Sequence, residues 1–232
     1  MIVLSLGGSI VVPDSADTNL IVAYRGLFEE FVRTHHDRVI VVVGGGAPAR
    51  TYQQAYRDVL RRLGHDGGTP DAQDWIGVAA TRLNAELLRH SLGALCTDPV
   101  VCDPTAEFPF TGSVLVGAGW KPGFSTDYDA VLLAERFGAD TVVNLSNISQ
   151  VYTADPKVDP SATPLESVRW REFNQIVGTD WTPGSNLPFD PVATARAAEL
   201  GLRVIAANGR DIENTRAILS GGAFHGTTIG PD

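Results

Sequence analysis

Two glycine-rich turns, each placed directly after a buried apolar run, constrain this fold more than any other feature of the sequence. The run Val39–Val43 ends in three glycines at residues 44–46, and Ile2–Leu6 ends in a Gly-Gly-Ser turn at residues 7–9. A short continuous apolar run is typical of a strand that is covered on both faces. One glycine turn alone also suits an ordinary strand–helix connection. Two of them, each followed by a helix whose positive dipole end faces the turn, predict a cradle for two phosphate groups.

Strands alternate with helices almost to the end of the chain. Apolar runs predict buried parallel strands at Ile2–Leu6, Val39–Val43 and residues 113–116, 141–145 and 202–206. Helical periodicity predicts helices at about residues 19–35, 47–63, 73–92, 126–137 and 192–200, then a helix capped by Asp211 and a closing strand at 227–229. The alternation predicts one α/β domain over residues 1–232, a three-layer αβα sandwich around a mostly parallel sheet. Ligands of such folds bind outside the carboxyl ends of the strands.

Two proline-rich segments interrupt this alternation. Residues 98–112 contain three prolines with short β-like pieces and predict a loop or hairpin beside the core. Residues 178–191 contain Pro183, Pro188, Pro191 and Trp181, which excludes a regular element. Ordered loops of this length tend to be functional.

Composition and charge exclude several classes of protein. The formal net charge of −9 argues against a nucleic-acid or anionic-membrane partner, and no apolar stretch approaches the length of a membrane span. The chain begins on a strand at Ile2, so we expect no signal peptide. Cys96 and Cys102 lack the spacing of metal ligands and predict reduced thiols in a cytoplasmic protein.

A third glycine loop, at residues 117–123, leads into Ser125, Thr126 and Asp127. Its glycine spacing differs from the dinucleotide fingerprint, so we expect no nicotinamide cofactor. Taken alone, the three residues after the loop could be only a helix cap with a favourable acid. Asp127 and Asp129 diverge on a helix and predict no acid/base pair, which leaves Asp129 as a first-turn acid.

The motifs follow one another in an order that resembles the amino acid kinase superfamily, with the archaeal-type uridylate (UMP) kinases as the most similar group. They are Gly-Gly-Ser at 7–9, Gly-Gly-Gly-x-x-Ala-Arg at 44–50, Thr-Arg-Leu-Asn-Ala at 81–85, Ser-Thr-Asp at 125–127, Asn-x-x-x-Val-Tyr-Thr-Ala-Asp-Pro at 147–156 and His-Gly-Thr-Thr-Ile at 225–229. The resemblance spans essentially the whole chain. It implies the amino acid kinase fold and phosphoryl transfer from ATP to UMP, with an acceptor-binding part at roughly residues 1–135 and an ATP-binding part at roughly 136–232.

The resemblance also implies roles for individual residues. ATP would be bound by Ser5, Leu6, Gly7, Gly8, Ser9, Gly46, Arg50, Ser146, Asn147, Tyr152 and Asp155. UMP would be bound by Gly45, Asp74, Lys121, Pro122, Gly123, Phe124, Ser125, Thr126 and Asp127. Asp127, Lys121 and Arg50 would serve catalysis. Mg²⁺ would be held by the phosphates rather than by a protein site, and the assembly would be a homohexamer.

The chain departs from the family pattern at its lysines. Ser5 and Ala195 stand where the family usually has lysine, and the superfamily's acid equivalent to Asp127 organises those two lysines. An acid from the family's Asn-Val-Asp-Gly-Val-Tyr motif is also missing at residues 147–152. An uncompensated Asp127 beside phosphates would be costly in a poorly hydrated site. Our hypothesis is that Mg²⁺, together with Lys121 or Arg196, neutralises it.

Two other functions stay open at this point. The missing lysines favour a non-catalytic nucleotide- or oxyanion-binding protein of the same fold. A superfamily kinase for another acceptor is the third possibility, although Asp74, a ribose-binding acid in the resemblance, argues against an acyl-phosphate former. The intact acceptor loop and the Tyr-Thr-Ala-Asp-Pro motif favour the uridylate kinase, which remains the preferred interpretation.

Overall fold

The computed structural model describes residues 1–178 and 187–231, which form alternating strands and helices. The strands are β1 (Ile2–Leu6), β2 (Val39–Val43), β3 (Val114–Gly117), β4 (Thr141–Ser146), β5 (Val151–Tyr152), β6 (Pro164–Leu165), β7 (Ser167–Arg169), β8 (Arg203–Asn208) and β9 (Thr227–Gly230). The helices are α1 (Gly8–Val11), α2 (Thr18–His35), α3 (Gly46–Arg62), α4 (Pro70–Leu92), α5 (Thr126–Phe137), α6 (Trp170–Val177), α7 (Pro191–Glu199) and α8 (Ile212–Leu219), with a 3₁₀ turn at Gly93–Leu95.

Seven of these strands form one sheet in the order β3-β2-β1-β4-β8-β9-β7. The first five run parallel, whereas β9 is antiparallel to β8 and parallel to β7. β5 and β6 form a separate two-stranded ladder. The predicted mostly parallel sheet is confirmed, and so is its closing strand.

The sheet separates two hydrophobic cores, as the three-layer prediction requires. Alternate side chains of β1 point to opposite faces: Leu4 and Leu6 pack with α2, α4 and α8, whereas Val3 packs with α5, α6 and α7. Helix α3 is an exception, because it packs against α4 and has no fully buried residue. The α/β sandwich is therefore complete on both faces without α3.

Side-chain caps explain where five helices begin. The side chains of Asp17, Thr69, Ser125, Asp190 and Asp211 each accept a hydrogen bond from the backbone N–H three residues later. Such caps satisfy one of the four N–H groups that a helix start leaves without a partner. The predicted cap at Asp211 is confirmed. The predicted bounds of these helices differ from the structure by at most three residues, and those of α5 coincide with it.

The structure contains short elements that the sequence pattern did not reveal. These are α1, α6 and the strands β5, β6 and β7. The segment 98–112 is irregular as predicted, and Asp98 stabilises it: its carboxylate accepts hydrogen bonds from the backbone N–H groups of Thr111 and Gly112 at 2.7 and 2.9 Å. In the predicted irregular segment 178–191, residues 179–186 with Trp181 and Pro183 lie outside the described residues.

Two expectations from composition can be compared with the structure. Cys96 and Cys102 are both free thiols, as expected. Of the helices within residues 1–178 and 187–231, none combines the length and the apolar character that crossing a membrane requires.

The two glycine turns contact each other through their backbones. A Cβ on Gly8 would come within 2.5 Å of the carbonyl carbon of Gly44 and still closer to the nitrogen of Gly46. Gly46 itself has φ +61°, a left-handed conformation that favours glycine, and a Cβ there would lie 2.6 Å from the carbonyl oxygen of Val12. The connections after β1 and β2 therefore pack at a distance that only glycine permits.

We expect Gly8→Ala to prevent this close approach and to lower the free energy of unfolding by about 3 kcal/mol or more, because the neighbouring atoms are backbone and cannot move aside. The matched control is Gly26→Ala in α2, where a Cβ meets no atom within 4 Å. That variant should gain about 0.5–1 kcal/mol. Urea unfolding of the three proteins measures both changes, and equal stability of Gly8→Ala and wild type would contradict the prediction.

Candidate active site

A cavity of about 410 Å³ opens at the carboxyl ends of the parallel strands, where the three glycine loops meet. The described residues that line it are Gly8, Ser9, Gly44, Gly45, Gly46, Ala49, Arg50, Gln53, Asp74, Gly77, Val78, Thr81, Gly119, Phe124, Ser125, Thr126, Asp127, Leu187 and Asp190. This is the edge of the sheet at which α/β folds bind ligands.

Three helices begin at this cavity. Helix α3 begins at Gly46, α5 follows its cap Ser125, and α7 follows its cap Asp190. The first turn of each helix carries backbone N–H groups without intrahelical partners and the positive end of the helix dipole. Their convergence makes the cavity suitable for an anion with several charged groups.

Arg50 supplies the positive side chain of the cavity. It lies in the second turn of α3, and its Nη2 donates a hydrogen bond to the carbonyl oxygen of Pro13 at 3.1 Å. Among the described lining residues it is the one arginine or lysine. Its side chain is exposed, so the guanidinium can bind an anion in the cavity.

The glycine turn after β2 is held by Asn84, a buried residue of α4. Its Nδ2 donates to the carbonyl oxygens of Gly44 and Gly45 at 2.8 and 3.0 Å. Both carbonyls are thereby turned towards α4. Asn84 belongs to the motif at residues 81–85, to which the resemblance assigned no role. A polar amide on the buried face of a predicted helix was the available signal for its function.

Four side chains hold the loop between β3 and α5. Thr81 accepts a hydrogen bond from the N–H of Gly119 at 2.8 Å, and Arg82 donates to the carbonyl oxygen of Trp120 at 2.9 Å. Asp129 accepts from the N–H of Trp120 at 3.1 Å. Farther along, Asp74 accepts from the N–H of Gly123 at 3.1 Å. The loop is thus fixed to α4 and α5 at both of its ends.

Asp74 lines the cavity from the first turns of α4. Partial burial raises the pKa of its carboxyl, and so does the charge of Asp71, while the hydrogen bond from Gly123 lowers it. One carboxylate oxygen is bound to Gly123. A carboxylate of this kind can also accept hydrogen bonds from hydroxyl groups of a ligand.

Asp127 is held by neutral donors from three segments. Ser5 donates to Oδ1 at 2.6 Å, Asn144 donates to the same oxygen at 3.3 Å, and the N–H of Asp190 donates to Oδ2 at 3.3 Å. Burial raises the pKa of Asp127 to about 6, and the nearby Asp190 also raises it, while the bonds from Ser5 and Asp190 lower it. The Ser5 side chain therefore lies behind Asp127 rather than on the cavity wall.

The structure corrects the hypothesis on what neutralises Asp127. Arg196 forms ion pairs with Glu135 and, at 3.0 Å, with Glu199, away from the cavity. The ammonium of Lys121 lies 3.7 Å from the ring centroid of Trp120 and is not among the lining residues. Neither cation contacts Asp127. Arg196 binds two glutamates, and Lys121 lies over the ring of Trp120. The linear sequence does not reveal that these partners keep both cations away from Asp127.

Asp129 differs from the predicted first-turn acid in its burial. It lies in the first turn of α5, yet only 1% of the residue is exposed and its Oδ1 has no hydrogen-bond partner. Burial raises its pKa to about 7, and repulsion from Asp127 and Asp103 adds to this, while Trp120 and Arg82 lower it.

The structure brings together most of the predicted phosphate and acceptor residues. Gly8, Ser9, Gly45, Gly46, Arg50, Asp74, Phe124, Ser125, Thr126 and Asp127 all line the cavity. Leu6, Gly7, Pro122 and Gly123 are not among the lining residues. Lining residues to which the sequence assigned no binding role include Ala49, Gln53, Gly77, Val78, Thr81, Gly119, Leu187 and Asp190.

The four residues predicted to hold the nucleoside of ATP lie apart from this wall. Asn147 is connected to it, because its Nδ2 donates to the hydroxyl of Ser9 at 2.8 Å. Asp155 instead stabilises a turn by accepting from the N–H of Lys157 at 2.9 Å. Tyr152 belongs to the small ladder with β6, and Ser146 ends β4. None of these four residues is among those that line the 410 Å³ cavity.

Comparison with known proteins gives consistent matches over the whole chain. The model of the amino acid kinase family matches residues 1–208. The uridylate kinase of Methanospirillum hungatei JF-1 is 36% identical over 231 residues, which cover 98% of this chain and 94% of that protein.

Solved structures agree with the sequence matches. The crystal structure of the uridylate kinase from Archaeoglobus fulgidus superimposes with a TM-score of 0.81 at 33% identity and covers 99% of each chain. The UMP kinase of Bacillus anthracis, at 20% identity, shares the fold with a TM-score of 0.77 over 100% of this chain and 96% of that one. This chain belongs to the amino acid kinase family, in the group that contains the archaeal uridylate kinases.

Proposed function

We propose that this protein is a UMP kinase that transfers the terminal phosphoryl group of ATP to UMP and releases UDP and ADP, a step of pyrimidine nucleotide synthesis. One observation carries the proposal: a single cavity holds both the two glycine turns with Arg50 and the acceptor loop with Asp74. Relatives at 33–36% identity over nearly the full chain are uridylate kinases.

Phosphoryl transfer needs positioning and cancellation of charge more than covalent chemistry. The backbone N–H groups at the starts of α3, α5 and α7 face the cavity and can hold phosphate oxygens. Arg50 adds a charged donor with planar geometry. The phosphate oxygen of UMP is already a nucleophile, so the site needs no general base.

The acceptor side of the cavity suits a nucleotide with a ribose. Asp74 projects from α4 into the cavity, where its carboxylate can accept hydrogen bonds from neighbouring hydroxyl groups. Its bond to Gly123 places it beside the acceptor loop. We propose Gly45 and residues 121–127 as the rest of the UMP site, with Lys121 at its outer edge.

Mg²⁺ is the metal that this kinase family implies. Within residues 1–178 and 187–231, no group of three or more His, Cys, Asp or Glu side chains is arranged to hold a metal ion. Mg²⁺ is usually held by one or two carboxylates together with substrate phosphates, and the wall offers Asp127 and Asp190. Burial raises the pKa of both carboxyls, so a cation beside them would relieve their repulsion. When bound there, Mg²⁺ would offset the charge on the phosphates.

A second function has one observation in its favour. The described wall carries one cation, Arg50, against the carboxyls of Asp74, Asp127 and Asp190. A non-catalytic nucleotide-binding protein could tolerate this balance. The cytoplasmic location and the homohexamer stay predictions from the sequence and the resemblance.

Release of ADP from ATP and Mg²⁺ by the purified protein tests the proposal, with UMP, CMP, dUMP, AMP or no acceptor. We expect turnover with UMP and at least about tenfold less with dUMP, which lacks one of the ribose hydroxyl groups that Asp74 can bind. ATP binding without transfer to any acceptor would instead support the binding protein. Transfer to a different acceptor would support the third candidate, a related kinase.

Asp74→Asn should raise the KM for UMP about tenfold and leave the KM for ATP unchanged, because an amide keeps the shape but loses charged acceptor oxygens. The matched control is Asp71→Asn, one turn earlier on α4 and exposed. Steady-state kinetics with each substrate varied in turn measures the effect. An equal change in both KM values would remove Asp74 from the acceptor site.

Asp127→Asn should lower kcat about 100-fold while ADP still binds, because the carboxylate acts on the charge distribution during transfer. Asp129→Asn is the control: it is two residues away, lies off the cavity wall and keeps an oxygen acceptor for the N–H of Trp120. We expect it to change kcat by less than about threefold, as a substitution that keeps a hydrogen bond. Stopped-flow transfer and ADP titration separate the two effects, and an unchanged kcat in Asp127→Asn would exclude a catalytic role.

A further inference from the structure

Arg210 lies beside the glycine turn that follows β1, although no sequence motif includes it. Its Nη2 donates a hydrogen bond to the carbonyl oxygen of Ser9 at 3.2 Å. Ser9 lines the cavity, and its hydroxyl accepts from Asn147 at 2.8 Å. Ser9 therefore contacts both the guanidinium of Arg210 and Asn147, a predicted ATP-binding residue.

The main chain of Arg210 is fixed relative to the sheet. The N–H of Arg210 donates to Oδ1 of Asn208 at 2.9 Å, and the N–H of Gly209 donates to the carbonyl oxygen of Ser146 at 2.9 Å. Both partners lie at the carboxyl ends of parallel strands. A long side chain on a fixed main chain can change partners without any movement of the fold.

The present partner of Arg210 is a weak one. Its Nη1 lies 3.3 Å from Oδ2 of Asp17, and the two side chains are 41% and 28% exposed. Ion pairs in contact with water contribute little to stability. The other oxygen of Asp17 caps α2 by accepting from the N–H of Leu20 at 3.1 Å, so Asp17 keeps a structural role when Arg210 leaves.

The charges of the cavity call for another cation. Arg50 is the one cation on the described wall, which also carries three carboxyl groups, and a nucleoside triphosphate brings further negative charge. Arg50 and Arg210 bind the same stretch of chain at opposite ends, at the carbonyls of Pro13 and Ser9. The two guanidinium groups are thus bound to one short segment, residues 9–13, which contains most of α1.

We propose that Arg210 is a second phosphate-binding arginine, which exchanges Asp17 for the phosphate chain of the donor nucleotide. The inference deepens the proposed function, since it assigns the donor side of the same site. Arginine suits the role because its planar group donates two parallel hydrogen bonds to phosphate oxygens.

Calorimetric titration with ADP and Mg²⁺, together with steady-state kinetics, tests this assignment. Arg210→Ala should weaken ADP binding and raise the KM for ATP about tenfold, as expected for loss of a charge-assisted pair, with the KM for UMP within about twofold of wild type. Arg210→Lys should recover part of the loss. Unchanged ADP binding in Arg210→Ala, or an equal rise of both KM values, would overturn the assignment.

Asp17→Asn is a second, opposite test that does not depend on Arg210→Ala folding. Asparagine caps helices as well as aspartate, so α2 is preserved while the charge that competes for Arg210 is removed. We expect ADP to bind about two- to fivefold more tightly, since the ion pair need not be broken. Weaker or unchanged binding would count against the exchange of partners.

Arg216→Ala serves as the control, because Arg216 lies on α8 and pairs with Glu30 and Glu213 away from the cavity. It should leave ADP binding and both KM values unchanged.

The two proposals can be refuted separately. Arg210-dependent ADP binding without transfer to UMP would refute the kinase and keep the arginine assignment. If the protein transfers phosphate to UMP and substitution of Arg210 changes neither ADP binding nor KM, the kinase proposal stands and the arginine assignment is refuted.

Discussion

The backbone contact between the two glycine turns is the constraint on which the site depends. Gly8 and Gly44 approach so closely that a methyl group on either would collide with the other turn. The contact brings the ends of β1 and β2 together, and with them the starts of α1 and α3. A phosphate site formed by the backbone groups of two connections requires this proximity. Unlike a long side chain, a backbone N–H group cannot extend across a gap to reach the phosphate. The sheet aligns the strands, and the glycines allow their connections to converge.

Around Asp127 the chain uses a different solution from the lysines that its family pattern suggests. Ser5 and Asn144 are neighbours in register on β1 and β4, so the sheet itself aims both donors at one carboxylate oxygen. Neutral donors leave the carboxylate's charge uncompensated, and burial then raises its pKa to about 6. The site therefore holds an acid whose charge depends strongly on what binds beside it. A positively charged partner bound beside it would favour the ionised form.

Hydrophobic periodicity and helix-capping residues made the long helices and strands predictable. The apolar runs of β1 and β2 and the capping residues Ser125 and Asp211 carry local signals that tertiary packing did not override. Helix α6 was missed because its buried residues, Trp170, Phe173 and Val177, span only two turns beside an irregular segment. Short elements of this kind depend on what they pack against and leave little periodic pattern.

The site was predictable where the backbone makes it and less so where side chains do. Glycine turns are visible in sequence, and their residues Gly8, Gly45 and Gly46 line the cavity as predicted. The partners of Lys121 and Arg196 could not be predicted from the sequence. Lys121 lies over the ring of its neighbour Trp120, a contact that depends on side-chain conformation. Arg196 pairs with Glu135, which is distant in sequence. Likewise the contact of Arg210 with Ser9 joins residues that are 201 positions apart.

Helix α3 connects the cavity to the surface of the protein. Its first turn and Arg50 belong to the cavity, but none of its 17 residues is fully buried, and Tyr52, Val59 and Leu63 are exposed. The two ends of this helix therefore have different tasks. Substitutions in the first two turns change the cavity wall directly, whereas Val59 and the residues after it are not among those that line the cavity. A substitution at the exposed Val59 can therefore alter the surface of the protein and leave the cavity wall unchanged.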